Sequence, residues 1–227
     1  MNKSDPRKTL SYTELKKQGH KDIENHPIKI LLDVDGVLLN LDGSYTPYVK
    51  HLVPDFSEEK YIVEWNMPQV EKAFPEAFNI IKSLWSNPEF MGNVPLFPTT
   101  LEALKILAQL EQDKQVKVLI HTAMTTSEVG RARVDQFDKI FSEINHEFEI
   151  NIHFGLNKKS YDNFDIIIED SLKNLNNSRV PHKVMIEAGN NRFVTSRDIK
   201  DYTSFTKKKT LLEYLNSNEF KRVLNKD

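Results

Sequence analysis

The sequence predicts an α/β fold, a doubly wound parallel sheet flanked by helices, with a small helical cap inserted after the first strand. Three observations carry that expectation. Short runs that are apolar on both alternations recur at residues 28–34, 115–122 and 164–170, the pattern of strands covered on both faces. Segments with a helical apolar stripe separate them, and strands alternating with helices make a parallel sheet. Between Leu41 and Pro98 the alternation stops, and Pro47, Pro54, Pro68, Pro75, Pro88 and Pro95 interrupt the stretch.

Residues 1–27, opening "MNKSDPRKTL", are polar and charged and read as a tail. They hold no apolar core of signal-peptide length, and no run in the chain reaches membrane-spanning length, so a cytoplasmic protein is expected. "IKILLDV" (Ile28–Val34) is the first strand. The insertion, 41–96, carries Trp65 and Trp85 with Phe56, Tyr61, Phe74, Phe78 and Phe90. Pro68, Pro75, Pro88 and Pro95 are expected to set the ends of its short helices. A helix capped by Thr99 or Thr100 then buries Leu101, Leu104, Leu107 and Ala108.

The second strand is expected at Gln115–Thr122, followed by a helix with Phe137, Ile140, Phe141, Ile144 and Phe148 on one stripe. Shorter strands are expected at Glu149–Leu156 and Lys183–Ala188, a buried one at Phe164–Asp170, and a last helix near Thr210–Arg222. The α/β core is thus expected to span 28–40 and 97–227.

Lys plus Arg total 31 against 33 Asp plus Glu, a formal charge of −2. No global basic field argues for a nucleic-acid polymer or a membrane surface as partner. Lys207-Lys208-Lys209 is a local exception, read as solvated helix surface. Cysteine is absent, which removes disulfides, thiolate nucleophiles and cysteine-ligated zinc.

The chemistry concentrates in "LLDVDGVL". Carboxylates at the end of an apolar strand cost free energy unless something positive meets them. Asp33 and Asp35 are two apart, so along an extended strand they share a face. Gly36 lets the chain turn and bring amides near an anion. One carboxylate can attack phosphorus and a second can protonate the leaving oxygen. Both would repel a phosphate dianion without a cation, and Mg2+, a hard ion that prefers oxygen, answers that need. A hydroxyl and an ammonium would complete a phosphate cradle: Thr122 and a lysine. In an open parallel sheet such residues meet where the loops leave the strands' carboxyl ends.

"DVDGVL", Thr122 in "VLIHT", Lys159 and "IIIED" resemble, in that order, the four motifs of the haloacid dehalogenase superfamily of phosphohydrolases. Within it, "KSYDNFDIIIED" and the helical insert resemble the 5′(3′)-deoxyribonucleotidases. The resemblance implies a Rossmann-like core of that type and a Mg2+-dependent phosphomonoesterase. Asp33 would be nucleophile and metal ligand; Asp35 would be the general acid/base, adding its backbone carbonyl to the metal. Thr122, Ala123 and Lys159 would be the phosphate-binding positions, and Glu169 or Asp170 the remaining metal ligand. Two departures stand out: Glu169 replaces the first of two aspartates, and Ala123 stands where many nucleotidases carry a second hydroxyl.

The implied substrate is a small phosphorylated metabolite, in the first place a nucleoside monophosphate. A phosphatase for sugar phosphates, or a silent protein that holds a ligand in the same cleft, is the alternative. Most cap aromatics are expected to pack internally, with Trp65 and Phe56 the candidates for stacking a base. Lys158 reads as a solvated neighbour of Lys159, and His121 and His153 as packed strand residues outside the mechanism.

Overall fold

The computed structural model describes residues 26–56, 68–154, 163–188 and 191–225. Six parallel strands form one sheet: β1 (Ile28–Asp33), β2 (Val116–Met124), β3 (Glu149–Phe154), β4 (Ile166–Glu169), β5 (His182–Ile186) and β6 (Ser204–Lys208). Their order is β3-β2-β1-β4-β5-β6. After β3 the chain returns to the other side of β1, so β1 and β4 flank the point where the winding reverses. Ligand crevices of open α/β sheets lie at that point, outside the carboxyl ends of the strands.

The double alternation of the sequence is explained by two apolar layers. Ile30, Leu32, Val118, Ile120, Ile166, Ile168, Val184 and Ile186 enter one core. Leu31, Leu119, Ile167 and Met185 enter a smaller one on the opposite face. The larger face is covered by α5 (Thr100–Gln112), α6 (Ser127–Ile144) and α8 (Leu211–Leu215), the smaller by α7 (Leu172–Asn177) and Ile199.

The segment after β1 carries α1 (Leu41–Leu52), α2 (Pro68–Ala73), α3 (Pro75–Trp85) and α4 (Pro88–Met91). Pro68, Pro75 and Pro88 each open a helix, where the missing N–H costs nothing. Pro95 does not end a helix. It lies in the returning chain, where its carbonyl accepts from Asn40 N at 2.8 Å while Phe97 N donates to Leu38 O at 3.0 Å. Outgoing and returning chains are thereby clasped. The apolar residues of these helices, including Tyr45, Val49, Phe78 and Ile81, are continuous with the larger core.

Four further expectations change. The expected threonine cap of α5 makes no side-chain bond: Thr99 holds the cap position, and the Thr100 hydroxyl instead reaches Leu38 O at 2.9 Å. The last helix is two, α8 and α9 (Asn218–Asn225), because Asn216 ends the first and Ser217 Oγ accepts from Phe220 N to start the second. Phe148 is buried, but beyond the end of α6, which stops at Asn145 in a left-handed conformation (φ 53°). Lys207 and Lys208 lie in strand β6, not on a helix. Lys207 Nζ donates to the carbonyls of Asn191 and Arg192, both at 2.8 Å, and of Val194 at 3.3 Å. An edge strand rich in lysine also discourages pairing with another chain.

Candidate active site

β1 ends at Asp33, and the chain turns at once. Val37, Leu38 and Leu39 N all donate to Val34 O, and Gly36 adopts φ 84° while donating to Leu39 O. The turn separates the two aspartates that an extended strand would have placed on one face. Asp33, 7% exposed, stays with the strand ends. Asp35 points to α6, where its Oδ1 accepts from Arg133 Nη2 at 2.8 Å.

On the adjoining strand β4, Leu32 is level with Ile168, so Asp33 and Glu169 are the next residues along. Carboxylate oxygens of Asp33, Glu169 and Asp170 lie within 4.8 Å of one another, all buried. This set can hold a metal ion, and its all-oxygen composition suits a hard one. Burial, and after it the charges of Glu169 and Asp33, hold the Asp170 carboxyl well above the usual carboxylate range. A divalent cation relieves that repulsion. The donor set therefore fits a metal.

Neighbours fix each carboxylate. Glu169 Oε1 accepts from Asp170 N at 3.2 Å and Ser171 N at 3.1 Å, and Oε2 accepts from Asn174 Nδ2 at 3.1 Å. Glutamate in the place of aspartate is thus braced against the first turn of α7. Asp170 is packed over Gly36, where a Cβ would lie 2.3 Å from Asp170 Oδ2. The Asp170 carbonyl accepts from Asn191 Nδ2 at 2.7 Å, and the same amide reaches Ile186 O.

β2 brings Thr122 to the same edge, since Asp33 is level with His121. The Thr122 hydroxyl is buried and has no hydrogen-bond partner among the described residues. An orphaned hydroxyl beside a carboxylate cluster is a donor awaiting an acceptor. Ala123 follows, half-buried on β2, level with His153. His121 is buried in the strand, its ring 6.4 Å from that of His153. Lys158 and Lys159 lie outside the described residues, as does Trp65.

The helices of the insertion adjoin this edge. Thr125 Oγ1 donates to Trp85 O at 3.1 Å, and Gln136 Nε2 to Val94 O at 2.6 Å. Phe56 is 4% exposed with its ring edge-on to Phe74, so packing rather than base stacking occupies it.

Residues 26–207 match the family described as "5′ nucleotidase, deoxy (Pyrimidine), cytosolic type C protein". The chain belongs to this family. Its members are phosphoric monoester hydrolases of the haloacid dehalogenase type. No curated protein matches the sequence. Among solved structures, CbbY from Rhodobacter sphaeroides in complex with phosphate is 14% identical, with TM-score 0.50 over 84% of this chain and 97% of that one; the two share the fold. The hydrolase YfnB from Bacillus subtilis bound to magnesium is 15% identical, with TM-score 0.49 over 88% and 99%. No described helix of this nucleotidase-family chain is long and apolar enough to cross a membrane.

Two residues to which sequence reasoning gave no role matter to the nucleotidase site. Arg133 lies on the buried stripe of α6 with Val129, Phe137 and Ile140. A charge at a core position of a helix implies a buried partner, and that signal was present in the sequence. Asn191 falls in "EAGNNRF", which loosely resembles the family, but no local pattern names its partners, the carbonyl of Asp170 just past β4 and that of Ile186 in β5.

Proposed function

We propose that the protein is a cytoplasmic, Mg2+-dependent 5′-nucleotidase that hydrolyses nucleoside monophosphates, with pyrimidine deoxynucleotides the favoured class. Residues 28–40 and 97–227 form the catalytic core on this reading, and 41–96 the cap that selects the substrate. The observation that carries it is the meeting of Asp33, Glu169 and Asp170 at the β1/β4 reversal point in a chain of the nucleotidase family.

Mg2+, when bound by Asp33, Glu169, Asp170 and the Asp35 carbonyl, supplies charge that offsets the phosphate dianion. Asp33 attacks phosphorus through its second carboxylate oxygen. The ester P–O bond breaks, and its electron pair leaves with the nucleoside oxygen, which takes a proton from Asp35. Water then attacks the aspartyl phosphate, gives its proton to Asp35, and releases inorganic phosphate with Asp33 restored. Thr122, the adjoining Ala123 segment and Lys159 hold the phosphoryl oxygens, which answers the orphaned Thr122 hydroxyl.

Asp33→Asn tests the reading. Hydrolysis of deoxyuridine and thymidine monophosphates with Mg2+ is expected to fall by about 10³-fold or more, with folding retained. Unchanged Mg2+-dependent turnover would refute Asp33 as nucleophile. Sugar phosphates outranking nucleotides by about tenfold in kcat/KM, a difference of ~1.4 kcal/mol, would refute the substrate class.

A further inference from the structure

Arg133 has no part in the reaction as written above, yet its side chain is fully buried, with 0% exposure, and touches the acid that the reaction needs. Its fork is divided. Nη2 donates to Asp35 Oδ1 and Nη1 to Gln136 Oε1, each at 2.8 Å, and Gln136 passes the connection to Val94 O at 2.6 Å. Nε is buried with no hydrogen-bond partner among the described residues. A buried ion pair is a poor source of stability, since an apolar pair of similar volume does as well or better. An arginine kept there with an unsatisfied N–H points to a requirement on Asp35, not on the core.

That requirement is geometric. Four acidic side chains, Asp33, Asp35, Glu169 and Asp170, leave the ends of two adjacent strands within a few residues of each other. An acid drawn onto a cation with the other three could not protonate a leaving group. Asp33, Glu169 and Asp170 do converge; Asp35 is held apart by the guanidinium. In an in-line displacement the leaving oxygen lies opposite the nucleophile, hence on the side away from the strand ends, where the insertion returns. The returning chain is seated on α6 at this level, for a Cβ on Gly92 would come within 3.1 Å of Ala132 Cβ.

We infer that Arg133 is the positioning residue of Asp35, tethered through Gln136 to the returning segment at Val94, and that it aims the Asp35 carboxyl at the leaving-group oxygen and away from the metal ligands. The inference rests on the phosphomonoesterase reading above and adds to it a residue that acts only through Asp35.

The experiment compares two substrates in the full-length protein. A nucleoside leaving group requires protonation, whereas p-nitrophenolate departs without it. In Arg133→Met, kcat/KM for thymidine monophosphate, which ends at departure of the leaving group and so excludes the later Asp35-assisted hydrolysis of the aspartyl phosphate, falls about 30-fold or more, while kcat/KM for p-nitrophenyl phosphate stays within about threefold. Arg133→Lys, which keeps the charge but loses the planar fork whose two ends reach Asp35 and Gln136 separately, gives an intermediate loss. In an Asp35→Asn background Arg133→Met adds less than about twofold, because the two act as a unit. Calorimetric Mg2+ affinity of Arg133→Met stays within about threefold of wild type, since the ligands are untouched.

Equal loss of kcat/KM on both substrates, additive losses in the double variant, or a shift of more than about tenfold in Mg2+ affinity would each overturn the assignment. If Arg133→Met does not melt cooperatively, Arg133→Lys and its double variant with Asp35→Asn decide by the same criteria. A wild-type protein without Mg2+-dependent hydrolysis of either substrate refutes the phosphomonoesterase reading itself; active wild type with an unchanged substrate ratio in the variants refutes the positioning role alone.

Discussion

Gly36→Ala perturbs the metal site without touching a ligand. At φ 84° an alanine is strained, which costs about 1–2 kcal/mol of stability. The new methyl would also lie 2.3 Å from Asp170 Oδ2 and 2.6 Å from its Cγ, where ordinary contact begins at 3.4 Å. The backbone of Gly36 is tied to Leu39 O, and the Asp170 carbonyl to Asn191, so the carboxyl group must retreat. A retreat of about 1 Å moves it out of register with Asp33 and Glu169 and is expected to weaken Mg2+ binding about 10–100-fold. That is ~1.4–2.7 kcal/mol of binding free energy. Titration calorimetry with Mg2+ reads the affinity, and urea unfolding without metal reads the stability. In an Asp170→Ala background the clash is gone, so Gly36→Ala should then cost only the backbone strain. Mg2+ affinity within about threefold of wild type in the single variant would refute the placement of Asp170 as a ligand above Gly36.

Asn191→Ala removes the amide that bonds Asp170 O and Ile186 O, and should destabilise the protein by about 1–3 kcal/mol in urea unfolding because two buried acceptors lose their donor. The same variant should lower kcat on nucleotides, by loosening Asp170; a change below about 0.5 kcal/mol would contradict this account. His182 titrates below its ordinary value because burial disfavours the imidazolium, with the Asp165 charge opposing. Its neutral form, bonded to Ser204 Oγ at 2.7 Å, contributes stability that is complete above about pH 6.5 and is lost as pH falls through the depressed folded value. His182→Gln should therefore flatten the acid-side fall in urea-unfolding stability, and parallel pH curves for the two proteins would count against it.

Within the family, the sheet was legible because its signal is local. Runs such as "KILLDV" and "DIIIED" are apolar on both alternations, and only a strand covered on both faces makes that pattern favourable. The missed strand, β6, carries no such run: Ser204–Lys208 is polar, and it is a strand only because β5 offers it an edge. Lys207 looked like solvated surface for the same reason, since the three carbonyls it satisfies belong to residues 191–194.

The candidate site divides in the same way. Its carboxylates and Thr122 were visible as residue types placed at strand ends, and parallel strands bring such ends to one edge. The sequence by itself thus determined the chemistry available: acidic oxygens, a hydroxyl, and a glycine free to turn. Only the tertiary structure decided how it was shared, sending Asp33 to Glu169 and Asp170 while giving Asp35 to an arginine 98 residues away. Periodicity records how one segment meets an apolar layer, but the partner of a buried charge is set by chain crossings that no local pattern encodes.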